Sequence, residues 1–281
     1  MEGASPLTQD LAQSIDDYAE EYLRQQSKIR RGLDFFHGLV KRPPPLFVGL
    51  IPERTLLMIS AEPGCGKTAL SLAAALALDT MTPLLGTFAP RERRRTFFLG
   101  NDAPDWDYAE VFRKLGRGIG LSTAQQDDCQ VDFLTNEGGS LTDKRFLAVI
   151  QKWHEEVAYN VVIFDTLASF HDLDENDTRQ MGAIMAILKR LRDSFNCTVI
   201  FTHHSRKPSG DEPMSANYSA RGNSVISGSI DFHLHLRRSA NKIRMSLAKG
   251  RGSEKLPADA AFEILEGECQ DGPYLRLSTS K

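Results

Sequence analysis

The chain has 281 residues, 41% of them hydrophobic and 25% charged, with a formal net charge of −3 at pH 7. That length is enough for one large α/β domain with or without an appendage, the composition is that of an ordinary globular protein, and the slightly acidic balance excludes an indiscriminately basic nucleic-acid binder while leaving local basic patches open. No apolar run reaches membrane-spanning length, the opening MEGASPLTQD lacks the layout of a signal peptide, and the four cysteines, Cys65, Cys129, Cys197 and Cys269, form no C-x-x-C pair; the expectation is a cytoplasmic protein with no membrane contact, disulfide framework or zinc site.

Residues 5–40 read as largely helical, with Leu11, Ile15, Tyr18, Ala19, Tyr22 and Leu23 at spacings of three and four. Such a helix packs either on its own domain or on a neighbouring subunit. The second option arises because the proline-rich stretch Lys41 to Pro45 reads as a stiff extended linker. The expected division is a helical N-terminal segment at 1–42, a possible subunit-interface element, and one domain at 43–281.

The run Arg54 to Ser60 is β-like, and Ala69 to Leu78 is composed of good helix formers. Between them lies AEPGCGKT, Ala61 to Thr68. Strand, glycine-bearing turn and helix form the context of a P-loop. Gly64 and Gly66 let backbone N–H groups curl round phosphates, Lys67 reaches the terminal phosphate oxygens, and Thr68 offers a hydroxyl to Mg²⁺. Glu62, Pro63, Gly64, Cys65, Gly66, Lys67, Thr68 and Ala69 are therefore the candidate nucleotide-binding residues, and ATP with Mg²⁺ the expected ligands. The pattern departs from G-x-x-x-x-G-K-[ST] at Ala61, where alanine is small enough for the bend. Cys65 is either a small filler or a thiol whose pKa the helix N-terminus lowers.

Beyond the loop helix, the basic run Arg91 to Arg95 reads as solvated surface and leads into the strand Thr96 to Leu99. Asp102 follows at that strand's C-terminal end, where ligands of parallel sheets collect. Tyr108 to Gly116 reads as a helix, Val131 to Leu134 as a short strand, and Leu141 to Val157 as a helix with Phe146, Val149, Ile150, Trp153 and Val157 on one side. Asn160 to Asp165 is an apolar run ending in a carboxylate, the signature of a parallel strand buried on both faces. Downstream of a P-loop this is the Walker B arrangement, with Asp165 beside the Mg²⁺ water shell.

Thr178 to Phe195 reads as a helix with Met181, Ile184, Met185, Leu188, Leu191 and Phe195 facing the core. Cys197 to Thr202 is a further buried strand that delivers His203 and His204 to the same edge, where one of them can sense the γ-phosphate; neighbouring residues on a strand point to opposite faces. The polar segment between His203 and Ser224 has the length of a functional or disordered loop. The last third reads as short strands, Ile230 to Leu236, Ile243 to Ala248, Ala261 to Leu265 and Tyr274 to Leu277, extending the central sheet in antiparallel fashion.

The ordered set AEPGCGKT, NVVIFDT and VIFTHH resembles the RecA-like P-loop ATPase core. Pro43 to Leu46, DTLASFH, Glu175 and Asn176, the HHSRK run and Ser219 to Ser224 make it similar to hexameric replicative helicases of the plasmid RepA kind, ATPases of the AAA_25 type. The resemblance covers roughly residues 43–255. It implies an α/β fold with a mainly parallel central sheet, C-terminal antiparallel strands and a homo-oligomeric ring that threads single-stranded DNA. It also implies a Lys-x-Arg pair completing the site from a neighbouring subunit, matched here by Lys249 and Arg251; an arginine finger offered across an interface is worth roughly 10³- to 10⁵-fold in turnover. The alternative for that pair is two solvated charges on a turn.

The same resemblance puts a water-activating glutamate where this chain has Asp102, one methylene shorter. Arg206, Lys207, Tyr218 and Arg221, from the segment after His203, are the candidate DNA contacts, through phosphates and a stacking ring. The function expected is a single-stranded-DNA-stimulated ring translocase or helicase with Lys67, Asp102, Asp165, His203 or His204, Lys249 and Arg251 as its working residues, serving with a replication or mobile-element partner protein. The rival is a RecA-like assembly or regulatory ATPase that oligomerises and recruits partners without unwinding. A small-molecule P-loop kinase fits less well, since no acceptor-binding lid is evident.

Overall fold

The computed structural model describes residues 32–38, 41–205, 224–240, 242–250 and 261–279, and the chain divides into two compact units, Met1–Arg42 and Pro43–Lys281. In the first unit the described helix is α1 (Gly32–Phe36); the rest of the expected N-terminal helix lies outside the described residues.

The second unit opens on a small antiparallel hairpin, β1 (Pro45–Phe47) and β2 (Ile51–Pro52). The stretch read as an extended linker therefore ends in a strand whose next residues, Leu46 and Phe47, are buried. Then come β3 (Leu56–Ala61), α2 (Lys67–Thr80), β4 (Thr96–Gly100), α3 (Asp105–Gly118), α4 (Thr123–Asp127), β5 (Val131–Thr135), α5 (Lys144–Val157) and β6 (Val161–Asp165). A 3-10 turn (Leu167–Phe170), α6 (Thr178–Phe195), β7 (Thr198–His204), α7 (Ser224–Ser229), β8 (Phe232–Ser239), β9 (Lys242–Gly250), β10 (Ala261–Cys269) and β11 (Gly272–Thr279) complete it.

Nine strands form one sheet in the order β11-β10-β9-β8-β3-β7-β6-β4-β5. The fold is α/β: from β5 to β8 all neighbours are parallel, and β9, β10 and β11 continue the sheet antiparallel. One detail differs from expectation. Of the four C-terminal strands, β8 lies parallel to β3. The 27 residues from Ser205 to Asp231, α7 among them, separate it from β7, enough for the crossover that a parallel neighbour requires.

The central strands β3, β4 and β6 are buried at every position, which explains why they read as unbroken apolar runs instead of alternating ones. Helix α2, built largely of Ala and Leu, is buried nearly all round. On its side of the sheet the core contains Leu57, Ile59, Leu70, Ile200 and Leu234. The opposite side is packed by α5 and α6 around Met58, Phe164, Met181, Leu188 and Phe201. Helices α5 and α6 start on Asp143 and Asp177, whose carboxylates accept backbone N–H bonds, and end on left-handed Ala158 and Asn196.

Two expectations about surfaces change. On α5, Phe146 and Ile150 are buried, but Val149 and Trp153 are exposed; the helix instead turns His154 inward, stacked on Phe195 at 4.0 Å and 7°. The basic run before β4 is not merely solvated. Arg93 forks onto Asp79 at 2.8 Å and onto Asp128 at 2.9 Å, and Arg94 reaches Glu53 at 2.6 Å. These bonds fasten α2, the segment after α4 and the β2–β3 turn to one another, through partners far away in sequence.

Candidate active site

Because β3, β7, β6 and β4 are parallel neighbours, their C-terminal ends lie side by side: Ala61 opposite His204, and Gly100 opposite Asp165. That row of strand ends is where the loop, Lys67, Thr68, Asp165, Asp102 and His204 are found. The loop between β3 and α2 turns on Gly64 (φ 75°) and Gly66 (φ 77°), a left-handed conformation that costs an L-residue roughly 1–2 kcal/mol. Gly66 is also tight against β10, since a Cβ there would lie 2.8 Å from Ile264 Cδ1. Ala61, by contrast, is outside the left-handed region and continues β3 in register. An alanine is accommodated there because the bend begins after it. Cys65 is buried in the apolar cluster around α2, the setting of a filler.

Lys67 is the first residue of α2 and is buried. Its Nζ donates to the carbonyls of Ala61 (3.1 Å) and Glu62 (3.3 Å) and lies 3.4 Å from His204 Nδ1. Burial holds the ammonium below the usual lysine range, while Asp165, Cys65 and Asp102 pull the other way. The lysine thus sits across the mouth of its own loop, satisfied by carbonyls that a phosphate group can replace.

Thr68 Oγ1 donates to Asp165 Oδ2 at 2.7 Å, and Thr202 Oγ1 donates to Asp165 Oδ1 at 2.5 Å. Asp165 is fully buried. Burial pushes its carboxyl above the usual range, with Asp102 adding to the rise, against the two hydroxyl donors and Lys67. A hydroxyl next to a carboxylate is a hard-oxygen pair of the kind Mg²⁺ takes when phosphates supply most of its other ligands. Among the described residues there is no cluster of three or more His, Cys, Asp and Glu that could hold a metal ion.

Asp102 lies in the bend after β4 and is exposed. It is close enough that its charge acts on Lys67, Asp165 and Tyr108. Its backbone N–H donates to Tyr108 Oη at 3.1 Å, and the same hydroxyl donates to the carbonyl of Asp165 at 3.2 Å.

The two histidines that end β7 part company. His204 faces Lys67, whereas His203 is buried on the other side of the sheet, with Nδ1 3.8 Å from Glu175 Oε1. On that other side Ser60 Oγ bonds both His233 Nε2 (2.6 Å) and His235 Nδ1 (2.9 Å). Burial drives His233 down to about 3 and His235 below the usual histidine range; both are neutral at pH 7.

Lys249, paired with His233 across β8 and β9, donates to the carbonyls of Ser227 (2.6 Å) and Gly228 (3.2 Å) on α7. It is a strand residue engaged within its own chain, not a charge on a free turn. Arg251, Arg206, Lys207, Tyr218 and Arg221 lie outside the described residues.

The structure therefore brings together Glu62 to Ala69, Asp165, Asp102 and His204, and sets His203 and Lys249 on a different face and strand. It adds Thr202 and Tyr108, which sequence reading passed over. Thr202 could have been found by counting back two from His204, since alternate residues share a face. Tyr108 had no such signal. Among the described residues, no helix is long and apolar enough to cross a membrane.

A protein-family model described as AAA domain (AAA_25) matches residues 25–210, which include the loop, Asp102, Asp165 and both histidines of β7. A search of curated proteins returned no match.

Proposed function

Since the chain belongs to the AAA domain family and is a P-loop ATPase, we propose that it couples ATP hydrolysis to movement on single-stranded DNA as a homo-oligomeric ring, most simply a hexamer. The observation that carries this reading is the convergence of Lys67, Thr68 and Asp165 at one edge of the sheet. In sequence, β7 is followed by the segment 206–223, which holds the candidate DNA contacts Arg206, Lys207, Tyr218 and Arg221.

Loop N–H groups from Glu62 to Thr68 and the start of α2 hold the phosphates, and the Lys67 ammonium leaves its loop carbonyls for the terminal phosphate oxygens. Thr68 and Asp165 are the residues that would hold Mg²⁺, which when bound neutralises charge that builds on the phosphates. Thr202 keeps the Asp165 carboxylate oriented. Asp102 accepts the proton of the attacking water. His204, beside Lys67, responds to the presence of the terminal phosphate. In this reading Arg251, two residues after Lys249 in sequence, would complete the site of the adjacent subunit.

A second reading is favoured by one observation: Asp102 is short and exposed, and a base misplaced by about 1 Å loses on the order of 10²-fold in rate. The chain then acts as a nucleotide-dependent assembly ATPase with slow turnover. Magnesium-dependent ATPase assays with and without a single-stranded oligonucleotide, on wild type and Lys67→Ala, test the first reading together with strand displacement. Stimulation by DNA and unwinding support it. Slow, DNA-indifferent hydrolysis with nucleotide-dependent assembly, seen as a mass change, supports the second, and hydrolysis that survives Lys67→Ala refutes both.

A further inference from the structure

The bend that presents Asp102 is tied down by a buried side chain with a role no sequence pattern suggested. Tyr108 sits one turn into α3, with its backbone N–H on the carbonyl of the preceding Pro104 at 3.3 Å. Its ring folds back under the chain, 2% exposed, and meets Phe98 edge-on at 5.5 Å and 64°. The space is made by Gly100, where a Cβ would stand 2.6 Å from Tyr108 Cζ and 2.9 Å from Oη.

The hydroxyl at the end of this ring has one proton and gives it to the backbone carbonyl of Asp165, at 3.2 Å, while accepting the N–H of Asp102 at 3.1 Å. The Asp165 carbonyl takes a second bond from the N–H of Asn101, at 3.1 Å. Two adjacent amides of the bend after β4 are thereby tied to a single carbonyl of β6, one directly and one through the phenol.

We propose that Tyr108 is the positioning residue for Asp102: by bridging the Asp102 amide to the Asp165 backbone it fixes the reach of the water-activating carboxylate relative to the metal-holding one. This rests on the hydrolytic reading above. The exposed Asp102 side chain cannot be aligned by packing, so its placement depends on the backbone beneath it. A tyrosine acting only as core filling would serve equally well as phenylalanine.

The test is Tyr108→Phe, which keeps the ring and removes the hydroxyl, measured in wild-type and Asp102→Asn backgrounds by single-turnover hydrolysis, nucleotide binding and amide exchange. The expected result is a fall in the hydrolysis rate of about 10-fold, with nucleotide Kd within twofold and faster exchange at residues 101–103. In the Asp102→Asn background the same substitution should cause no further loss. An unchanged rate overturns the proposal. So does a loss that accompanies weaker nucleotide binding or persists in the Asp102→Asn background, because those mark general loosening. Wild-type protein that does not hydrolyse ATP removes the hydrolytic reading and this role with it.

Discussion

Asp165 is a buried carboxylate whose hydrogen-bond partners are both neutral hydroxyls, and the fold should become more stable when its charge is removed. In Asp165→Asn the amide keeps the size of the side chain and can still bond Thr68 and Thr202, while the charge, whose burial raises the carboxyl pKa, is gone. Lys67 subtracts from the gain, because it loses an attractive neighbour. A net stabilisation on the order of 1–3 kcal/mol follows, in line with the cost of other buried charges replaced by neutral groups. For a chain of this size that is roughly 2–4 °C in Tm per kcal/mol.

The sign fixes the pH dependence. A carboxyl raised in the folded state favours folding by protonation below the unfolded value, and that advantage is lost as pH rises through the folded value. The gain from Asp165→Asn should therefore be full above the raised pKa and shrink as pH falls toward about 3.8, the unfolded value. Differential scanning calorimetry at pH 8 and pH 5, without nucleotide or Mg²⁺, reads both effects, and hydrolysis should fall by at least about 10²-fold in the same variant. A lower Tm at pH 8, or a gain that grows on acidification, would refute the reasoning that burial dominates at this site.

Thr202→Val removes one donor from the buried Asp165 and adds no bulk; a bond to a charged group is worth about 1.5–3 kcal/mol, so the hydrolysis rate should fall about 10-fold or more with ATP binding little changed, read by steady-state assay and titration. Gly66→Ala forces a left-handed φ on a residue with a Cβ and presses it on Ile264; unfolding curves should show a loss of about 1–3 kcal/mol, only part of which a further Ile264→Ala change restores. His233, depressed to about 3, gives stability that is present above the unfolded value of 6.5 and lost as pH falls toward 3. Denaturant midpoints should therefore drop between pH 7 and pH 5, by up to about 1.4 kcal/mol per pH unit for this group, and His233→Gln should flatten that slope.

How much of this could be read in advance followed from where the determining contacts lie. The strand, loop and helix from Leu56 to Thr80 are specified by neighbours in sequence: apolar residues for a two-face burial, glycine at the left-handed turns, helix formers after them. Asp165 was legible for the same reason, as the polar end of an apolar run. Thr202 and Tyr108 belong to the site through pairings 37 and 57 residues away from Asp165, and no local pattern encodes those. The exposed face of α5 is not legible in the sequence: Val149 and Trp153 share the helical spacing of Phe146 and Ile150 yet are exposed, while His154 stacks on Phe195 of another helix. The direction of β8 depends on a crossover, which burial periodicity does not record.

The alternation of strand residues also explains why one strand carries two kinds of chemistry. Thr202 and His204 on β7 reach Asp165 and Lys67 on the α2 side of the sheet, and Phe201 packs among the residues of the α5 and α6 side. Ser60 stands opposite His203 on one neighbour and opposite His235 on the other, so these three share a face. Between the two faces there is only the thickness of the strand. A movement of β7 that brought His204 toward a phosphate would have to carry His203 along the Ser60, His233 and His235 cluster, since residues one apart cannot slide independently on a hydrogen-bonded strand. The neutral histidines impose little electrostatic cost on such a shift, whereas charged ones at the same positions would resist it by mutual repulsion.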